Sequence, residues 1–272
     1  SRLLETSDLV IAISHTGKSK GTLDCAKIAH DHGITTIGIT GYMDSPLTQT
    51  CDYNIDIGCG DEPIGPKTKG YMATCLTLFL VLFQLLKNNH DFTYQKNDFM
   101  KEWLQEIKLF NQTIEATENF LMNHQEWAKA SCVSVIGYGI QFGVACEGNL
   151  KLLETMQIPA MCYELEEFMH GAHRTITENS YLIFLHVNGE GYDLMSQLID
   201  FAHQQNAHHI VIEDNQKVKA DLYVPYLSKT KAVFTTSLIL QVMASYLPEY
   251  KGINPSDPLF KDFATTVGTR VI

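Results

Sequence analysis

Apolar residues in this chain gather into short unbroken runs, and the runs return in the same order a second time. Leu9-Val-Ile-Ala-Ile13 has no polar residue between its ends, which is how a strand buried on both faces of a parallel sheet reads. It leads through a polar turn into a helical pattern, Gly21 to Ala29, and then into a second run ending Ile37-Gly-Ile-Thr40. The segment Leu182 to Val187 matches Leu9 to Ser14, and Ala202 to Glu213 matches Ala29 to Thr40, both at an offset of 173. Farther on, Cys51 to Asp56 matches Ala220 to Pro225, and Lys67 to Thr74 matches Lys229 to Thr236. Each copy predicts strand, helix, strand, short strand and long apolar helix, an order that folds as a mostly parallel sheet covered by helices. Two α/β sandwich domains are expected.

Between the copies, Asn88 to Asp98 is a polar break, and Phe99 to Trp127 carries helical spacing through Trp103, Ile107, Phe110, Ile114 and Phe120. A linker helix is predicted there. The second copy opens with an additional βα unit, the strand Val133 to Ile140 and the helix Val144 to Gln157. The first copy has no room for that unit before Leu9, so its domain is expected to be incomplete at its N-terminal side. The most apolar stretch, Met72 to Leu86, falls short of the ~20 residues of a bilayer span and contains Thr74, Thr77 and Gln84. It predicts a core helix, and no membrane association is expected.

Composition narrows the functions open to such a fold. The chain has 272 residues, 45% of them hydrophobic, enough for one large domain or two of ordinary size. Its net charge is −11, with 20 Lys and Arg against 31 Asp and Glu. With no basic run to track a phosphate backbone, no nucleic-acid partner is expected. The seven cysteines, Cys25, Cys51, Cys59, Cys75, Cys132, Cys146 and Cys162, are odd in number and have no C-x-x-C spacing. Neither a disulfide framework nor a structural zinc site is supported, and with no signal-peptide pattern at Ser1 to Asp8 a reducing cytoplasm is expected.

Two groups of residues carry candidate chemistry. The turn Ser14-His15-Thr16-Gly17-Lys18-Ser19 joins a strand to a helix N-terminus. Its hydroxyls, lysines and backbone N–H groups, with the positive end of the helix dipole, could surround a phosphate. The same residues would also serve as an ordinary helix cap. In the second copy, Glu147, Lys151 and Glu154 recur at i, i+4 and i+7 on one helix face, a stripe that elsewhere is a solvated salt-bridge face. Here Glu164-Leu-Glu-Glu-Phe-Met-His-Gly171 follows closely and places His170 before a glycine. A carboxylate and an imidazole are what proton movement between adjacent sugar carbons requires. His170 and His173 lack an acidic or cysteine partner at ligand spacing, so no metal is expected.

Four motifs in sequence order, Ser14-x-Thr16-Gly17-x-Ser19, Glu62-Pro-Ile-Gly-Pro-Lys67-Thr-Lys69, Glu147-Gly-x-x-Lys151-x-x-Glu154 and Glu167-x-x-His170-Gly171, carry a resemblance over nearly the whole chain. The chain resembles the double SIS-domain (sugar isomerase) family, which includes the isomerase half of glucosamine-6-phosphate synthase and the fructosamine-6-phosphate deglycases. That resemblance implies two three-layer α/β/α sandwiches with mostly parallel sheets, at 1–98 and 131–272, the first without its N-terminal βα unit and the second carrying the C-terminal tail, joined by a linker helix at 99–130.

The resemblance also implies roles. Ser14, His15, Thr16, Gly17 and Ser19, with Glu62 and Lys67, would form the sugar-phosphate site. Glu154 would be the base that shuttles a proton between C1 and C2, ordered by Lys151 and Glu147, and His170 would assist ring opening across a homodimer interface. No cofactor is needed, since the step requires a base, an acid and a held phosphate. The expected activity is that of a phosphosugar isomerase or fructosamine-6-phosphate-type deglycase acting on an amino-substituted hexose 6-phosphate; the alternative is a non-catalytic sugar-phosphate sensor. Two departures from the synthases stand out: no glutaminase domain with an N-terminal cysteine is expected, and Lys261 does not fall in register with their C-terminal lysine. The second copy's loop, Asn188-Gly-Glu190-Gly191, has no hydroxyl and bears a carboxylate, so only the first domain is expected to bind phosphate.

Overall fold

A computed structural model describes residues 5–86, 96–226, 228 and 230–271. Ser1 to Leu4, most of the polar break and Lys229 of the repeat lie outside the described residues. The chain divides into two compact units, Ser1–Thr93 with Asp257–Ile272, and Tyr94–Ser256. In the first, β1 (Leu9–Ile13), α1 (Lys20–Asp31), β2 (Thr35–Thr40), α2 (Pro46–Thr50), β3 (Tyr53–Asp56) and α3 (Lys69–Leu86) follow one another. The three strands pair in parallel in the order β1-β2-β3. One face is closed by α1 and α2, whose Leu23, Ala26 and Leu47 cluster with Ala12 and Cys51. Helix α2 starts on Pro46, whose fixed φ suits a first turn.

The second unit comprises α4 (Lys96–Asn123), β4 (Val133–Gly137), α5 (Ile140–Met156), β5 (Ala160–Glu164), α6 (Leu165–Met169), β6 (Tyr181–His186), α7 (Tyr192–Gln204), β7 (His208–Glu213), β8 (Leu222–Tyr223) and α8 (Ala232–Tyr250). Its sheet is parallel throughout, in the order β5-β4-β6-β7-β8. On one face Ile183, Leu185, Ile210 and Ile212 pack with residues of α5 and α8; on the other, Phe184 and Leu182 pack with Phe168 of α6 and Met195 and Leu198 of α7. Each such fully buried side chain contributes about 1.5–3 kcal/mol, and the result is a three-layer α/β/α sandwich. Helix α4 is part of that sandwich rather than a free linker. It lies along α8, with Trp103 edge-on to Phe234 at 4.6 Å and an ion pair from Lys231 to Glu102.

Strand pairing corrects the repeat by one residue. Leu9 stands beside Thr35, and Tyr181 beside His208, so the first strand's offset is 172, while 173 holds for the second strand. The cause is α7, which has 13 residues to the 12 of α1. Ile11 thus corresponds to Ile183 and Ser14 to His186. Because side chains alternate along a strand, the slip changes which residues face α1.

Helix α3 is also unlike the expected core helix. Only Gly70 and Thr77 are buried along it, and Leu80, Leu82, Leu85 and Leu86 are exposed. By length and composition alone it could cross a membrane. In the second unit its counterpart α8 is covered by α5; among the described residues of the first unit no βα unit stands in that place. The tail, including α9 (Phe263–Thr266), groups with the first unit, although the resemblance placed it with the second. Backbone bonds hold it there: Lys20 N–H donates to Thr269 O and Val271 N–H to Lys18 O, both at 3.0 Å, around an antiparallel bridge between Ser19 and Arg270.

Candidate active site

In the first unit the turn after β1 is held from beneath. Ser14 N–H donates to Ile39 O at 3.0 Å and Gly17 N–H to Ser14 O at 2.9 Å. Gly17 has a φ of +63°, and a Cβ on it would come within 2.0 Å of the Ser45 hydroxyl oxygen. Conformation and space both demand glycine. Ser19 occupies the N-cap position of α1, yet its hydroxyl makes no capping bond; it accepts from the Ser14 hydroxyl at 3.0 Å. Thr16 accepts from Lys18 N–H at 3.3 Å. Thr16, Lys18, Tyr42, Asp44 and Ser45 line a cavity of 340 Å³ above this turn. Ser45 is buried and its hydroxyl has no hydrogen-bond partner among the described residues.

His15, Glu62 and Lys67 are placed differently from the loop hydroxyls. The His15 ring lies 3.3 Å from the Cys59 sulfur and against Gly70, where a Cβ would meet it at 2.5 Å. Burial, with the charges of Lys67 and Lys69, lowers its pKa. Glu62 is the cap of α3, a helix otherwise without a carboxylate in its first turn. Thr68 and Lys69 N–H donate to Glu62 Oε1 at 2.9 and 3.0 Å, the Thr68 hydroxyl at 3.2 Å, and Gly70 N–H to Oε2 at 2.9 Å. Burial alone would raise the Glu62 pKa, but these donations hold it below the usual carboxylate value. The Lys67 ammonium donates to Glu62 O. These three residues shape and support the loop region.

In the second unit α5 presents Glu147, Lys151 and Glu154. Glu147 and Lys151 are buried. Lys151 Nζ donates to Glu154 Oε2 at 2.7 Å, with 35% of the Glu154 side chain exposed. A buried ammonium thus fixes a carboxylate whose remaining face is open to solvent. His170 ends α6, its side chain 81% exposed, with Glu166 at 3.9 Å. Among the described residues the ion partner of Glu154 is Lys151 and that of His170 is Glu166; the two expected catalytic groups are not paired with each other.

The SIS domain family profile matches residues 2–85 and 126–247. This chain belongs to the SIS domain family. It is 24% identical to the glutamine–fructose-6-phosphate aminotransferase of Sulfurisphaera tokodaii over 96% of this chain and 42% of that protein, and 25% identical to that of Clostridium acetobutylicum over 94% and 43%. The chain therefore spans less than half the length of these relatives. Among solved structures, a Clostridium difficile protein provisionally named a phosphosugar isomerase superposes with a TM-score of 0.87 at 25% identity, covering 99% of this chain and 78% of that one. The C-terminal domain of the Francisella tularensis glucosamine-fructose-6-phosphate aminotransferase shares the fold, with a TM-score of 0.79 at 20% identity over 93% and 74%.

Within this SIS chain, Ser45 is a candidate site residue that the sequence motifs missed. It belongs to the turn after β2 and meets the Ser14–Ser19 loop only through the parallel pairing of β1 with β2. Its one local signal is its place before Pro46, where Ser commonly caps a helix; it makes no such cap bond.

Proposed function

We propose that this chain carries the isomerase chemistry of a sugar-phosphate enzyme, moving a proton between C1 and C2 of an amino-substituted hexose 6-phosphate. The uncommitted hydroxyl of Ser45 against Gly17 of the loop, which leads into a helix whose N-cap side chain makes no cap bond, is the observation that carries this reading. Ser14, Thr16, Ser19 and Ser45 hold the phosphate. His170 protonates the ring oxygen as the ring opens. The Glu154 carboxylate then takes a proton from C1, giving an enolic intermediate, and returns it at C2. Lys151, bonded to one Glu154 oxygen, leaves the other for the reacting proton. The exposed His170 is free to reach a second copy, so the working form is a homodimer with its site at or near the interface. No disulfide joins the seven cysteines, which suits a reducing cytoplasm.

The test is to follow solvent deuterium entering C1 and C2 of fructose 6-phosphate and of its amino-acid adducts by NMR. Glu154→Gln should lower exchange by about 10²–10⁴-fold; normal exchange by that variant would sink the mechanism. Release of the amine distinguishes a deglycase from an isomerase. The second reading, a sensor, is favoured by the separation of His170 from Glu154 in their ion pairs, and it predicts binding of phosphosugars with no exchange at all.

A further inference from the structure

The second unit has a cavity of its own that the proposed reaction does not use. It measures 480 Å³ and is lined by Tyr138, Gln141, Glu164, Glu166, Asn188 and Glu190, among others. It stands at the C-terminal ends of β4, β5 and β6. From β4 the chain runs to β5 on one side and then crosses to β6 on the other, and such a reversal is where open parallel sheets receive ligands. The walls are preformed. Gly139 has a φ of +54°, a Cβ on Gly191 would come within 2.8 Å of the Tyr138 ring, and the Tyr138 hydroxyl donates to Val187 O. Under the loop, His186 and Glu213 form a buried pair at 2.6 Å, and the Tyr192 hydroxyl donates to Glu213 at 3.1 Å.

One group in this rigid setting is unfinished. Gln141, in the first turn of α5, is 2% exposed, and neither its amide nitrogen nor its oxygen has a hydrogen-bond partner among the described residues. Leaving a buried polar group unsatisfied costs about 1–3 kcal/mol, a cost that a bound hydroxyl group would remove. The lining includes three glutamates and no cation, so it repels phosphate. It is the counterpart of the hydroxyl-lined loop, since β6 corresponds to β1, but its chemistry is reversed.

We propose that this cavity is a second small-molecule site, taking an unphosphorylated amino sugar. Gln141 exchanges hydrogen bonds with the sugar hydroxyls, and the carboxylates of Glu190 and Glu164 receive the ammonium group. The site is independent of the isomerase reading and stands if that reading fails.

Calorimetric titration of the chain with glucosamine, glucose and glucose 6-phosphate tests it. Glucosamine should bind at least about tenfold tighter than glucose, the worth of one charge-assisted hydrogen bond, and glucose 6-phosphate should not compete for the glucosamine site. Glu190→Lys, an exposed change, and Gln141→Leu should each weaken glucosamine about tenfold or more, whereas Ser45→Ala should leave it unchanged. The proposal is overturned if glucosamine gives no binding, or if its affinity survives Glu190→Lys or falls with Ser45→Ala.

Discussion

Ile11 and Ile183 hold the same place in two copies of one fold, and their surroundings are opposite. Ile183 lies in a strand flanked on both sides and is fully buried, whereas Ile11, in an edge strand, is 37% exposed. Leu9 and Ile13 share its exposed face. The copies also divide the chemistry. The first keeps hydroxyls and a lysine at its βα turn, while the second keeps carboxylates and an amide there and adds the Lys151–Glu154 pair on a helix with no counterpart among the described residues of the first unit. Strands that hold the same place in the fold therefore do not carry a fixed environment or a fixed ligand; neighbours in the sheet decide the one, and a few loop residues decide the other.

The sharpest way to break this comparison is to truncate the matched isoleucines. Ile183→Ala should cost about 2–5 kcal/mol in urea unfolding, and Ile11→Ala no more than about 0.5 kcal/mol, as at an ordinary surface site. Equal costs would mean that the open face of β1 is covered in solution. Next in size is Gly17→Ala. Left-handed backbone costs a residue with a Cβ about 1–2 kcal/mol, and the contact with Ser45 adds to it. Phosphosugar affinity should fall at least about tenfold, while glucosamine binding at the second unit is unchanged.

Acid should separate the units through Glu62. Its folded pKa lies below the ordinary value of 4.5. It therefore contributes stability that is fully present above that value and is lost as pH falls through the lower, folded one. Circular dichroism between pH 5 and 2 should show α3 unwinding, and Glu62→Gln, whose amide offers a single acceptor oxygen to four donors, should remove the part of the pH dependence that Glu62 supplies and cost about 1–2 kcal/mol near neutrality. Glu213 in the second unit is shifted in the same direction. Burial would raise it, but His186 and the backbone N–H of Asn215 outweigh that, so the slope that remains in Glu62→Gln combines Glu213 of the second unit with Asp52 of the first, whose pKa is lowered by the hydrogen bonds from Thr36.

The order of elements was legible because unbroken apolar runs alternate with helical spacing, and the Ser14–Ser19 loop was legible because hydroxyls and glycine are concentrated in six residues. The face of β1 was not. Leu9-Val-Ile-Ala-Ile13 is apolar at every position, so nothing in it marks a one-residue slip, and only the extra residue of α7 reveals it. Glu62 acts six to eight residues along the chain as a helix cap, a role that its motif does not distinguish from ligand binding. Ser45 reaches the site from another strand's turn, a neighbour that no local pattern reports.

The smallest effect is expected on α3, where the comparison can be sharpened at one pair of leucines. Leu85 corresponds to Leu247 in the alignment of Lys67 to Thr74 with Lys229 to Thr236; Leu85 is 60% exposed and Leu247 fully buried. Leu85→Lys keeps a helix-forming residue and removes no buried contact, so its unfolding free energy should move by no more than about 0.5 kcal/mol. The same variant takes a large side chain from the apolar groove shared with Ile55, Ile57, Leu76, Leu80 and Val81, so binding of a hydrophobic dye should fall. A destabilisation of 2 kcal/mol or more, on the scale of a core truncation, would show that α3 is covered in solution as α8 is, and that the two copies differ less than their described surfaces indicate.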